Sequence, residues 1–596
     1  MFPVSWRFFS LRSFLSLPGA KAGNPARLTL PGRLRLQPLP VLALLAAFLI
    51  QAAPVLGATP QPALNAAVSG TGAVPGNISF GSFDAAHIYA ASSGKNLYGA
   101  TSIALPTRIG DLSALLLGQV DAQKNAGTGA LVNLVRTQVN AFGLPGGLTT
   151  ITGNGATRTH SAGAPNAFEE IRWLTINSGA NGASLTNLHF TDVKVENTYN
   201  DATGSGGVVN GLIGSAYNVG NVSTDSIAMG DLTDNEFSAI SVSLHGYRDD
   251  QYLAGGGVLG LRSTTNSARM GNIVGNIFRN VTVTTDESSS SSASSHKGSA
   301  YIEGGGIIGV DAVSSPGTKS GSAFIESLVN NLFTDVHVDS GDIILGGGLV
   351  GVNNNSQNRD ALTYAQLLDA SGNIFGNGED NNITVRAGYS LRGGGVIGVN
   401  GLSDAQVHLD GLTDNIFAGI TVETGSYLRG GGIVGLNSND GGDAKFGTIT
   451  PTAVDSILEN AIGNVFLNLR VNAGTLAPGN GGSLDGGGIL GARSNMGMAT
   501  VSGVVGNIFK GLRVSASTSL SSPAPAYNGH LDGGGIVGAS SVDKASLLGV
   551  SGNYFDDLHV TVAQNLTGGG ILGASAANVV TVISSTAPTH WAVITD

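Results

Sequence analysis

The stretch Asn415-Ile-Phe-Ala-Gly-Ile-Thr-Val-Glu-Thr-Gly-Ser-Tyr-Leu-Arg-Gly-Gly-Gly-Ile-Val-Gly435 decides the fold, because the chain repeats its outline many times. Its glycine triplet and following aliphatics recur eight times, with first glycines at Gly255, Gly304, Gly346, Gly393, Gly430, Gly486, Gly533 and Gly568. The intervals are 49, 42, 47, 37, 56, 47 and 35 residues. Its phenylalanine keeps the same beat at Phe190, Phe237, Phe278, Phe333, Phe375, Phe417, Phe466, Phe509 and Phe555. All but Phe190 have an asparagine two residues earlier: Asn235, Asn276, Asn331, Asn373, Asn415, Asn464, Asn507 and Asn553. All but Phe375 carry aliphatics three and five residues later; after Phe375 the pair arrives late, as Ile383 and Val385, behind an insertion that behaves as a surface loop. Repetition at this period marks an array in which each unit buries its apolar face against its neighbours. The expected fold is all-β: a parallel β-helix, or β-solenoid, of about nine imperfect repeats of roughly 45 residues with an N-terminal cap.

Each unit offers three strand candidates: the aliphatic pair after phenylalanine (Ile420-Thr-Val422), a run through the glycine triplet (Tyr427 to Gly435), and a run before the asparagine (Val407 to Leu412). Strict alternation cannot point Phe and the residues three and five further on to one face, so a corner or bulge must intervene. Asparagine tolerates left-handed backbone and suits a corner. Stacked coils would align the asparagines in a ladder hydrogen-bonded along the axis. The triplet leaves little side-chain thickness, so another wall can approach closely or the chain can bend sharply. Either one large three-sided coil or two small coils per unit is geometrically open.

Only 12% of the 596 residues are charged and 91 are glycine, a composition of sheet and tight corners. The regular spacing of Phe, Ile, Val and Leu argues against disorder. There is no cysteine, which excludes disulfides and thiolate metal sites and suits export in an unfolded state. Residues 1–57 read as a signal peptide with a long basic n-region, ending in the apolar run Leu39 to Ile50. Without it the formal charge falls from −11 to about −17, because six basic residues and no acid are removed. Such a surface repels phosphate backbones, so no nucleic-acid partner is expected, nor a membrane-spanning segment in the mature chain. Residues 58–165 read as a linker and cap, helical over Ile109 to Val139; 166–580 as the repeats, with a first coil near Ile171; and 581–596 as a C-terminal tail.

Chemistry is sparse. The paired acids Asp249-Asp250, Glu379-Asp380 and Asp556-Asp557 fall at different places in the unit and read as solvated turn residues. Ten histidines show no metal-binding spacing; His189, His337 and His559, near the phenylalanine strand, belong to distant coils. No nucleophile motif occurs, and the glycine triplet lacks the Lys-Ser/Thr tail of a phosphate loop. Asn437 to Asp443 is an oxygen-rich loop of the kind that holds calcium, but it occurs once. No catalytic residue, cofactor or metal is therefore expected.

A long basic leader, no cysteine and Gly/Asn/Ser/Thr-rich repeats resemble the passenger region of bacterial autotransporters and related adhesins. Gly-Gly-Gly-Ile-Val-Gly-Leu-Asn at Gly430 and Gly-Gly-Gly-Leu-Val-Gly-Val-Asn at Gly346 are similar to GLUG repeats of bacterial surface proteins. The resemblance covers roughly 166 to 580 and implies a non-enzymatic adhesin, secreted or at the cell surface of a Gram-negative bacterium. Its implied partner is a glycan or a host or bacterial surface protein, with self-association into a matrix also open. Autotransporter passengers are followed by an outer-membrane β-barrel. Here the repeats run to Gly573, leaving open a released passenger, a truncated product or another export route. The rival function is a β-helical polysaccharide lyase or hydrolase, which would show acids aligned with Arg or Lys on adjacent coils.

Overall fold

The computed structural model describes most of residues 227–584, apart from stretches such as 288–299, 440–454 and 518–528, and mainly isolated strands elsewhere. All the described residues lie in the unit Ala58–Asp596. The leader over 1–57 lies outside them, as does the helix expected over 109–139 apart from Ile109, which ends the short strand Arg108–Ile109.

One unit makes one coil, and the coil contributes to four sheets, where three strand runs were expected. In the unit around Phe417, Ala405–Asp410 approaches the asparagine, while Ile416–Ala418 and Ile420–Thr424 carry the phenylalanine and the aliphatic pair. Tyr427–Gly431 leads into the triplet and Val434–Asn439 leads out of it. Each strand pairs in parallel with its counterpart one unit away: Val407 with Ser456, Phe417 with Phe466, Leu428 with Leu484, Val434 with Leu490. Four parallel sheets result, named here the approach, phenylalanine, lead-in and lead-out sheets. This is a parallel β-solenoid. The phenylalanine sheet continues upstream of 166, where Thr149–Thr152 and Thr157–Ser161 pair with Leu188–Tyr199. Among the described residues no helix is long and apolar enough to cross a membrane.

The extra corner is made by the glycine triplet. Gly430 has φ +112°, in the left-handed region. A Cβ on Gly431 would lie 1.9 Å from the Val434 carbonyl oxygen, and one on Gly432 1.9 Å from that of Gly488 in the next coil. The lead-in strand therefore folds back against its own lead-out strand with no side chain between them, and the expected single strand from Tyr427 to Gly435 is two.

A second device reconciles Phe with its aliphatic pair. Two residues after phenylalanine the backbone turns left-handed, at Asn280 (φ 53°), Asp335 (φ 52°), Asn468 (φ 51°) and Asp557 (φ 52°), or at Gly419 and Gly511. This bulge resets the alternation, so Phe278, Val281 and Val283 all point inward and are fully buried. The left-handed corner before the phenylalanine sheet is not the ladder asparagine but the residue preceding it: Asp234, Gly275, Asn330, Gly372, Asp414, Gly463, Gly506 or Gly552. The asparagine itself keeps ordinary backbone because its side chain is committed elsewhere.

Nine phenylalanine rings, Phe190 to Phe555, form a continuous buried stack with centroids 4.7–5.4 Å apart and planes within 13°. Beside it runs the asparagine ladder. From Asn276 to Asn553 each Oδ1 accepts from the Nδ2 of the preceding asparagine at 2.8–3.0 Å and from its backbone N–H at 2.9–3.1 Å. From Asn276 onward each Nδ2 also donates to a backbone carbonyl of the previous coil at 2.7–2.8 Å. Buried polar atoms are thereby satisfied coil by coil, as a low-dielectric interior demands.

Candidate functional site

The repeat residues singled out from sequence are frame: the asparagines and phenylalanines are buried and the triplet glycines are pressed against backbone. The acidic doublets do not converge. Asp249-Asp250 lies outside the described residues; Asp380 pairs with Arg470 at 3.3 Å, and Asp556 and Asp557 with Lys510 and Arg513 at 2.9 and 3.0 Å, all on the surface. His559 sits 3.3 Å from Asp557 on the phenylalanine sheet. In the stretch proposed for calcium, Asn437 and Ser438 are buried in the lead-out sheet, and residues 440–443 lie outside the described residues.

The polar side chains that do converge occupy two neighbouring columns flanking the triplet. The residue before the first glycine runs, coil by coil, Ala254, Glu303, Leu345, Arg392, Arg429, Asp485, Asp532, Thr567. The fourth residue of the lead-out strand runs Arg262, Asp311, Asn353, Asn400, Asn437, Arg493, Ser540, Ser575. Because the strands fold back on each other at the glycines, the columns meet in a seam. Arg262 bridges Glu303 and Asp311 at 3.2 and 3.5 Å, and Asp485 holds Arg493 at 3.1 Å and Arg429 at 3.7 Å. Asn353, Asn400 and Asn437 each donate to the preceding member at 2.7, 2.7 and 2.8 Å, a chain that ends on the Asp311 carboxylate and is fed by Arg493 at 3.1 Å.

Burial dominates the electrostatics here. It pushes the Asp311 carboxyl up, against the opposing pull of Arg262. It pulls the Arg493 guanidinium down against Asp485, and it pulls Arg392 down together with the charges of Arg429 and Arg493. At the outer edge of the lead-in sheet Tyr389 and Tyr427 meet edge to face with centroids 5.5 Å apart, and the Arg429 guanidinium lies 4.9 Å from the Tyr427 centroid. Burial and then Tyr427 raise the Tyr389 phenol. Further along, Asp485, Arg493, Asp532, Ser540, Ser541 and Ser575 line an open recess of about 240 Å³.

No protein family, curated protein or solved structure matches this chain. The site stands on its own geometry. On the approach sheet His408, Asp410 and Glu459 place ligand atoms within 4.8 Å of one another, a donor set able to hold a divalent ion, although His408 and Glu459 already approach to 3.4 Å. Sequence reading missed both constellations because their members are tens of residues apart. The signal was the one position beside the triplet whose chemistry changes from coil to coil.

Proposed function

We propose that the protein is an exported, non-enzymatic β-solenoid acting as an adhesin or surface-interaction protein, of the kind formed by autotransporter passengers and GLUG-repeat proteins. Its binding surface is the outer edge of the lead-in sheet, from Tyr389 to Thr567, with a glycan or a surface protein as ligand and no cofactor. The observation that carries the reading is the contrast along each coil: Phe, Asn and Gly positions repeat unchanged as frame, while the adjoining row presents Arg392, Arg429, Asp485 and Asp532 in register, with the Tyr389–Tyr427 ring pair beside the two arginines. A rigid frame with a heterogeneous polar and aromatic edge is a binding surface. The basic, apolar leader and the lack of cysteine support export.

The full-length chain should bind immobilised glycans or surface proteins saturably and leave bound polysaccharide at its original length. A second reading, a β-helical polysaccharide-degrading enzyme, is favoured by Asp485 and Asp532, which stand in register on adjacent coils beside Arg493. Shortening of a polysaccharide, abolished by Asp485→Asn with Asp532→Asn, would replace the first reading with the second.

A further inference from the structure

We propose that Arg392 and Arg429 bind a carboxylate or sulfate group of an acidic polysaccharide. This deepens the surface-interaction reading above and rests on it. Nine arginines have described side chains, and eight of them lie within ion-pair distance of a carboxylate: Arg262, Arg269, Arg279, Arg386, Arg429, Arg470, Arg493 and Arg513. Arg392 is the exception among the described residues. Its Nε is shut off from solvent with no hydrogen-bond partner, and the charges that act most on its guanidinium are the cations Arg429 and Arg493. An arginine cannot escape this cost by losing its proton. Three cations gathered in an acidic protein, one of them desolvated and unpaired, form a site whose missing member is an anion.

The geometry suits a planar, two-oxygen group. Arg392 and Arg429 are register partners on adjacent coils, so their backbones stand about 4.8 Å apart and two guanidinium forks face the same side. The Arg429 Nε is likewise buried without a hydrogen bond, and its ion pair with Asp485 is long, at 3.7 Å. Tyr389, 37% exposed, stands at the solvent edge beside the patch.

The same row selects the chemical class. Beyond the arginines come Asp485, Asp532 and Thr567, with Ser483 and His530 in the neighbouring row two residues earlier. A uniformly anionic partner, such as an acidic peptide or a nucleic acid, would place negative charge on those carboxylates. A polysaccharide with occasional anions places one at the arginines and hydroxyls, which donate to carboxylates, along the rest.

The test is equilibrium binding of the full-length chain to hyaluronan, which carries a carboxylate on alternate sugars; to κ-carrageenan, which carries a sulfate on alternate sugars; to neutral dextran; and to poly-glutamate. At least one acidic polysaccharide should bind tenfold or more tightly than dextran and poly-glutamate, and should weaken as salt rises. The better of the two names the anion. Arg392→Ala and Arg392→Gln should each lose tenfold or more with the thermal midpoint unchanged, while Arg470→Ala, on another face, keeps full affinity. Equal binding to dextran overturns the anion site, and stronger binding to poly-glutamate overturns the polysaccharide class. Acidic-polysaccharide binding that survives both Arg392 variants overturns the assignment to Arg392 and leaves the surface-interaction reading standing. Failure to bind any glycan or surface protein overturns both.

Discussion

The asparagine column from Asn235 to Asn553 and the seam column from Arg262 to Ser575 run through the same coils, and both link coil to coil by side-chain amides. They obey opposite rules. In the first, each interior asparagine is acceptor for one neighbour and donor to the next and to backbone, so one residue type satisfies itself coil after coil. In the second, the central asparagines make single bonds in one direction, so the chain needs a pure donor at one end and an acceptor at the other. Arg493 and Asp311 supply them. A uniform column is therefore scaffold, and a column that changes residue has ends, charges and a location along the axis where recognition can sit.

That distinction can be broken by substitution. The largest loss is expected for Gly431→Ala, whose methyl would lie 1.9 Å from the Val434 carbonyl. Backbone cannot yield as a side chain can, so the cost should reach roughly 4 kcal/mol or more in urea denaturation. Phe417→Ala opens the middle of the ring stack and should cost about 3–5 kcal/mol by the same measurement. Asn415→Ala strips Asn373 of the acceptor for both its backbone N–H and its Nδ2, for a loss of about 2–3 kcal/mol. Asn400→Ala in the seam removes one acceptor and one donor and should cost roughly half as much. Equal costs for the two asparagines would erase the contrast between the columns.

The smallest expected effect is a slope against pH. Burial raises the Asp311 carboxyl in the fold, with Arg262 and Glu303 as the charged groups facing it. A folded value above the unfolded one favours the protonated form, so its contribution is fully present below the ordinary carboxylate range and is lost as pH rises through the raised value. Thermal midpoints of Asp311→Asn should fall less than those of the parent over that rise.

Much of this was legible in the residues. The beat of Phe, Asn and Gly carries the parallel stacking, because a repeat of one type at one period has only its neighbours to pack against. The need for a bulge followed from placing Phe278, Val281 and Val283 on one face. The fourth strand was not legible: glycines have no Cβ to mark in from out, so a sharp fold at Gly432 looks like straight strand. The left-handed corner was mislaid by one residue, although Asp, Asn and Gly alternate at that preceding position. The acidic doublets drew attention because they are adjacent in sequence, whereas Arg392 and Arg429, or Asp485 and Asp532, become neighbours only when the first glycine of each triplet is taken as zero. Loops of unequal length hide that register from any fixed-period reading.

One coil per repeat also has a mechanical meaning. Every inter-coil hydrogen bond lies along the stacking direction, so tension applied through the two ends of the solenoid opens one seam at a time instead of shearing many together. Each opened coil releases 35 to 56 residues of slack, at about 3.3–3.6 Å per residue, before the next bears the load. A tether built this way yields in small steps under pull and keeps its remaining coils, with their outer edge, intact.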